Sequence, residues 1–202
     1  MKKVVLMNMP STIRVYGESA LKGIIAPRPL VSLAELAGAV LAIGSNCKIL
    51  DLQVSNKPFQ DIEKMLKDYK PDFVGLTFTT LLFHEAKKVA KFIKEKSPET
   101  IVITGGVHST IYPEEVIAED AIDIVVRNEG DITLQEIVNG KQLKNIKGIY
   151  YKTKKVRHWY ICRTLRLKLA KTSELCSFSN PVANFGNGYK IINVFYYVLT
   201  FS

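Results

Sequence analysis

Three small clusters in this chain combine residue types suited to gripping a ligand rather than to breaking a bond. Thr77, Thr79 and Thr80 close one apolar run, Gly105 and Gly106 close another and are followed by His108, Ser109 and Thr110, and Asn8 and Pro10 close a third near the start. A glycine pair lets backbone N–H groups approach something bulky, and the hydroxyls can donate or accept in a largely apolar slot. The chemistry on offer is recognition of a nucleotide-like ligand. A plainer reading, in which the glycines turn the chain and the threonines satisfy strand ends, uses the same residues, and their spacing alone does not separate the two. Other chemistries lack their signatures. No strand-turn-helix carries GxGxxG or a Walker P-loop, no Ser-His-Asp order is evident, and Cys47, Cys162 and Cys176 share no metal-binding spacing.

For these clusters to meet, the elements before them must run in parallel. Phe73 to Phe78 is a short run rich in β-formers and reads as a strand buried on both faces. Ala86, Val89, Ala90 and Ile93 then recur at helical spacing, with Lys87, Lys88, Lys91, Glu95 and Lys96 on the wet side, and Ser97-Pro98 stops that helix. Ile101 to Thr104 is a second buried strand, completing a βαβ unit whose two carboxyl ends carry the threonines and the glycines. In open parallel sheets that edge is where ligands bind.

The rest of the chain repeats the rhythm. Lys3 to Met9 predicts a central strand ended by Pro10, and Ser11 to Leu30 a long loop, which at this length is usually functional. Ser32 and Glu35 have the spacing of a capping box ahead of a first helix that ends near Gly44. Cys47 to Leu52 predicts the second strand, Phe59 to Tyr69 the second helix, Pro113 to Ala118 a short helix, and Ile122 to Val126 the fifth strand. After the polar turn Arg127 to Asp131 come a helix over Ile132 to Val138 and a closing strand over Ile146 to Tyr151. Five βα repeats and a closing strand predict an α/β fold, doubly wound around a mainly parallel five- to six-stranded sheet, with flavodoxin-like order 2-1-3-4-5.

Of the formal charge of +9, residues 151–202 carry +8 and the first 150 residues +1. The basicity therefore belongs to a tail, and the division expected is a ligand-binding α/β domain over residues 1–151 and an irregular basic tail, or a truncated or frame-shifted remnant, over 152–202. That tail shows no aromatic-basic module, so no nucleic-acid partner is expected. Its last apolar run, Ile191 to Phe201, is only about half the length that spans a bilayer, so no membrane is expected either. The cysteine usage and the lack of a signal peptide fit a cytoplasmic protein.

Taken together, the motifs resemble a known family. VGLT at 74–77, with Gly105-Gly106 beginning 28 positions after Thr77, is similar to the Ser-x-Leu and Gly-Gly elements of cobalamin-binding domains, Thr77 standing for the serine and Thr79 departing from the leucine. A closer resemblance is to the N-terminal cobalamin-binding domain of B12-dependent radical SAM proteins. It rests on NMP at 8–10, PRPLVSLAELAGAVL at 27–41, GGVHST at 105–110 and NEGDITLQEI at 128–137, and it covers about residues 3–151. Met9, Asn128 and Asp131 depart from that family's proline, glycine and glutamate.

The resemblance implies a cobalamin-binding, Rossmann-like module of the B12-binding type, with the cofactor's benzimidazole tail in the slot beside Thr77 and Gly105-Gly106. Its cofactor-binding positions would be Asn8, Pro10, Thr77, Thr79, Thr80, Gly105 and Gly106, then His108, Ser109 and Thr110, and in the later turn Glu129 and Gly130. Direct ligand contact by His108 competes with a solvated loop position. No histidine lies between Ser11 and Leu30, so bound cobalamin is expected to lack a histidine lower ligand from that loop. After residue 151 only Cys162 and Cys176 occur, short of the three cysteines of Cys-x-x-x-Cys-x-x-Cys. The chain alone is thus expected to hold no iron-sulfur cluster and to have no catalytic activity of its own, its partner being a radical SAM domain in a full-length parent. The alternative is a Rossmann-like transferase that binds a nucleotide or S-adenosylmethionine. A valine at Gly106 is expected to fill the ligand's space and leave the fold intact.

Overall fold

The computed structural model describes residues 1–10, 31–152 and the pair 191–192. Residues 11–30, read above as a loop, together with Cys162, Cys176, His158 and the remainder of the basic tail, lie outside the described residues. Seven strands, β1 (Lys3–Asn8), β2 (Asn46–Leu50), β3 (Phe73–Thr77), β4 (Ile101–Gly105), β5 (Ile124–Val126), β6 (Ile149–Tyr151) and β7 (Ile191–Ile192), form one sheet. Their order is β6-β5-β4-β3-β1-β2-β7. The five central strands are mutually parallel in the expected order 2-1-3-4-5, while β6 and β7 close the two edges antiparallel to β5 and β2. The doubly wound α/β reading is therefore what the chain adopts.

The apolar runs make strands because each buries both faces, and alternate residues feed two separate cores. Val5, Met7, Val74, Leu76, Val102 and Val125 join the core under helices α2 (Pro58–Tyr69) and α3 (Phe83–Lys96). Val4, Leu6, Phe73, Ile103, Ile124 and Val126 join the opposite core, under α1 (Val31–Ala42) and the helix Asp131–Val138. The stripe Ala86, Val89, Ala90 and Ile93 of α3 is fully buried, as its spacing requires. Cys47 is core as well. Burial pushes its thiol up to about 12, so at neutral pH it packs as an uncharged, unreactive group.

Several local readings need correction. The closing strand begins at Ile149 rather than Ile146, and the second strand ends at Leu50 rather than Leu52. Ser32 lies inside α1 instead of capping it. Residues 107–111, which the sequence left between a glycine turn and a short helix, form a helical turn of their own, α4 (Val107–Ile111), ahead of α5 (Pro113–Ala118). α6 (Asp131–Val138) begins one residue before the reading. The fifth strand is shorter than expected, Ile124–Val126, and is preceded by Asp123, whose N–H donates to the Val102 carbonyl at 3.0 Å while its carboxylate accepts the Val102 N–H at 2.7 Å and pairs with Lys94 at 2.6 Å. Among the described residues, no helix is long and apolar enough to cross a membrane.

Candidate functional site

The parallel register puts three of the expected residues in one row across the carboxyl edge, Asn8 beside Thr77 and Thr77 beside Gly105. This row begins on β1, the strand where the order of the sheet reverses and where doubly wound folds open a crevice. Gly106 follows with φ +94° and ψ −173°, a conformation that only glycine enters at low cost. A Cβ here would stand 2.8 Å from the Phe78 carbonyl oxygen and 2.8 Å from Thr77 Oγ1. Its glycine is thus demanded by the protein's own backbone, and the expectation that valine at this position spares the fold is overturned. Gly105 differs: a Cβ there would meet nothing nearer than the Val126 carbonyl oxygen at 3.9 Å.

Asn8 is 3% exposed, and both polar groups of its side chain are engaged inside the fold. Its amide donates to Asp51 Oδ1 at 2.7 Å while its carbonyl oxygen accepts the Leu52 N–H at 2.7 Å, and the same Asp51 oxygen accepts the Gln53 N–H at 2.9 Å. The residue ties the carboxyl end of β1 to that of β2. Pro10, two positions on, is buried. Asp51 was not singled out in the sequence, where an acid at a strand end carries no local signal.

His108 is in a helix and 2% exposed, so the solvated-loop position does not hold. Its ring packs at 4.3 Å from Phe83, 5.3 Å from Tyr112 and 5.9 Å from Phe78, centroid to centroid, and Nδ1 lies 3.3 Å from Thr80 Oγ1. Nε2 is buried without a hydrogen-bond partner, 3.9 Å from Glu115. Burial holds the imidazole below the usual histidine range, while the Glu115 carboxylate pulls more weakly the other way. The other charge nearby is Lys87, whose ammonium lies 5.1 Å from the Phe83 ring centroid. The folded protein therefore keeps a neutral ring at a pH where the unfolded chain, with an ordinary value of about 6.5, has begun to take up the proton. This contribution to stability is complete above that value and is lost as pH falls through it toward the folded value. We predict that His108→Gln flattens the pH dependence of the urea midpoint between neutral and mildly acidic solution; an unaltered slope would assign the dependence to other groups.

The remaining expected residues divide by location. Thr79 and Thr80 are exposed beside the seam between β3 and β4. Ser109 is fully buried, and its hydroxyl has no hydrogen-bond partner. The Thr110 hydroxyl donates to the Gly106 carbonyl at 3.0 Å and accepts the Asn128 N–H at 3.0 Å, which draws the turn after β5 toward the seam. In that turn Glu129 is exposed, whereas Gly130 serves packing, since a Cβ there would come within 3.3 Å of Leu36 on α1. His84 is exposed at the start of α3 and lines a cavity of about 420 Å³ on the flank of the sheet, with Lys87, Lys88, Lys91, Glu119 and Asp120. It does not join the seam. Among the described residues, no group of three His, Cys, Asp or Glu side chains is placed to hold a metal ion.

Sequence reasoning missed the apolar rim. Leu81 after β3 is 79% exposed, and Val107 and Ile111 of α4 are 60% and 57% exposed. These exposed aliphatic side chains belong to segments that directly follow β3 and β4, at the end of the sheet that carries the seam. The spacing of Val107 and Ile111, four apart, was the available signal for both the helical turn and its outward apolar face.

The B12 binding domain family matches residues 19–138. The chain belongs to the B12-binding domain family. Over 154 residues this B12-binding domain is 38% identical to an uncharacterized methyltransferase of Pyrococcus horikoshii, covering 73% of the chain and 32% of that protein. It is 29% identical over 112 residues to the anaerobic magnesium-protoporphyrin IX monomethyl ester cyclase of Rubrivivax gelatinosus, covering 54% of the chain and 20% of the cyclase. Its fold is shared with the radical S-adenosylmethionine methyltransferase TsrM of Kitasatospora setae, solved with cobalamin and a [4Fe-4S] cluster bound, at TM-score 0.65 and 19% identity over 80% of the chain and 31% of TsrM. The same fold occurs in the cobalamin-dependent radical enzyme OxsB with aqua-cobalamin bound, at TM-score 0.64 and 19% identity over 82% of the chain and 23% of OxsB. The B12-binding domain thus spans about a third or less of the length of each of these proteins.

Proposed function

We propose that this chain holds a cobalamin at the carboxyl edge of its sheet, with Thr77, Gly105 and Gly106 accommodating the benzimidazole tail. The observation that carries the reading is the pair of glycines with different reasons to be glycine. Gly106 is required by the adjacent backbone, whereas the space beside Gly105 is required by no contact within the protein. A flat, mostly apolar ring on a ribose phosphate needs such a gap, with small residues beside it and hydroxyl donors within reach. The exposed Thr79 and Thr80, the latter with its hydroxyl also 3.3 Å from His108 Nδ1, and the side chains of Leu81, Val107 and Ile111 would supply donors and apolar cover of that kind. Asn8, Pro10, His108 and Ser109 are buried and would support the site from beneath, and Glu129 would lie at its margin. Membership of the B12-binding family and a fold shared with cobalamin-containing enzymes support the assignment.

Cobalamin, when bound, supplies a cobalt centre able to carry an alkyl group or accept single electrons; the protein's part is to hold and orient it. We infer a cytoplasmic module that works with a radical SAM domain and that, as the 202-residue chain alone, neither holds an iron-sulfur cluster nor cleaves S-adenosylmethionine. The stretch from Ser11 to Leu30 contains no histidine, so bound cobalamin would receive no histidine lower ligand from those residues. Aquacobalamin mixed with the purified chain should co-elute with it as a red or orange species. A colourless protein peak would overturn the reading and favour the nucleotide or S-adenosylmethionine alternative. In the cob(II)alamin state, electron paramagnetic resonance should show no nitrogen hyperfine splitting from a histidine.

A further inference from the structure

Beyond the last rungs of β4 and β5, two backbone segments at the site adopt uncommon conformations. Gly106 is at φ +94°, and Asn128, which is not a glycine, is at φ +59° in the left-handed region. Such residues persist only where their surroundings over-determine them. One side chain reaches both. The Thr110 hydroxyl donates its proton to the Gly106 carbonyl and uses a lone pair for the Asn128 N–H, each at 3.0 Å, and the Thr110 carbonyl accepts Arg127 Nε at 3.2 Å. The residues lie 4 and 18 positions away along the chain. In effect the hydroxyl continues the β4–β5 ladder past the point where backbone pairing stops, between Thr104 and Val125.

We propose that Thr110 is a positioning residue, one that fastens the Gly106 turn to the turn after β5 and so fixes the wall of the slot for the cofactor's nucleotide tail. Its single hydroxyl proton is already committed to the Gly106 carbonyl, which leaves it no donor for a phosphate or a ring nitrogen. Its effect on a ligand is therefore transmitted through Gly106. Without the hydroxyl, the Gly106 carbonyl is left with the Thr110 N–H at 3.0 Å and the Asn128 N–H loses its acceptor. The Gly106 turn, packed so closely on Phe78 that a Cβ there would stand 2.8 Å from the Phe78 carbonyl oxygen, is then no longer fastened to the turn after β5.

This inference rests on the cobalamin reading above, and a tailless corrinoid separates the two. Cobinamide has the corrin ring but no benzimidazole nucleotide, so only cobalamin tests the slot. Titrations of the 202-residue chain with aquacobalamin and with cobinamide would be compared for the wild type, Thr110→Val and Thr110→Ser, with thermal unfolding followed in parallel. The wild type should bind cobalamin more tightly than cobinamide. Losing two hydrogen bonds, Thr110→Val should bind cobalamin about tenfold more weakly, with cobinamide affinity unchanged, while Thr110→Ser, which keeps the hydroxyl, should match the wild type. Should the valine variant not fold, Thr110→Ala removes the same hydroxyl with less bulk and carries the same expectation. Equal weakening toward both corrinoids, no weakening at all, or a serine variant as poor as valine would overturn the positioning role and leave cobalamin binding standing. A wild-type chain that binds neither corrinoid would overturn the cobalamin reading itself, and this inference with it.

Discussion

Gly105→Val is expected to weaken cobalamin binding by about ten- to a hundredfold while leaving the unfolding transition of the free protein in place. The reason is the asymmetry between adjacent glycines. At Gly105 the backbone is outside the left-handed region and a Cβ has room, with its first neighbour, the Val126 carbonyl oxygen, at 3.9 Å. Valine also suits the end of a strand. Any loss of binding therefore reports on space that the ligand uses. Gly106→Val is the contrast. It would force a branched side chain into φ +94° and against the Phe78 backbone, at a cost to stability of about 2–6 kcal/mol from strain and overpacking together. Isothermal titration and urea unfolding on both variants give the comparison. If Gly105→Val bound cobalamin like the wild type, the tail would not lie beside that residue; if Gly106→Val were as stable as the wild type, the close approach to Phe78 would be wrong.

Asn8→Asp should destabilise the fold by about 2–4 kcal/mol at neutral pH, with a pH dependence of unusual sign. The substitution changes hardly any atoms in size, but it replaces the amide that donates to Asp51 with a second carboxylate at the same 2.7 Å. Two such oxygens cannot both stay ionised, so one carboxyl in the folded variant keeps its proton well above the ordinary aspartate range. A group whose folded pKa is raised contributes stability at low pH and loses it as pH rises through the folded value. The variant should therefore recover on mild acidification, against the trend that His108 imposes on the wild type. Asn8→Ala removes the repulsion but leaves the buried Leu52 N–H without an acceptor. Its loss should not recover with acidification. Urea midpoints across a pH series distinguish these outcomes, and parallel curves for the two variants would refute the hydrogen-bond assignment at the β1–β2 junction.

These two tests bear on the same seam from opposite sides. Asn8, Thr77 and Gly105 share one row of the sheet, yet the first is committed to the fold and the last has open space. The motif residues that follow are likewise divided. Thr79 and Thr80 face solvent, while His108 is enclosed by Phe78, Phe83 and Tyr112. A family motif names the position of a cofactor site, and hydrogen-bond bookkeeping separates the residues that can touch the cofactor from those that hold the others still.

What the sequence determined by itself was whatever depends on neighbours along the chain. Apolar runs of strand length at residues 3–9, 73–78 and 101–104 can be buried only as two-faced strands, and the helical spacing of Ala86, Val89, Ala90 and Ile93 permits one buried stripe. Alternation of strands and helices then requires a parallel sheet, and so places the threonine and glycine clusters at one edge. Tertiary structure decided what pairs across the chain. Asn8 meets Asp51 from 43 positions away, Thr80 meets His108 from 28, and Asn128 meets Thr110 from 18. No periodicity encodes such meetings, because each depends on the order and register in which strands are laid side by side. For the same reason the antiparallel direction of β6 became legible only when the sheet was assembled.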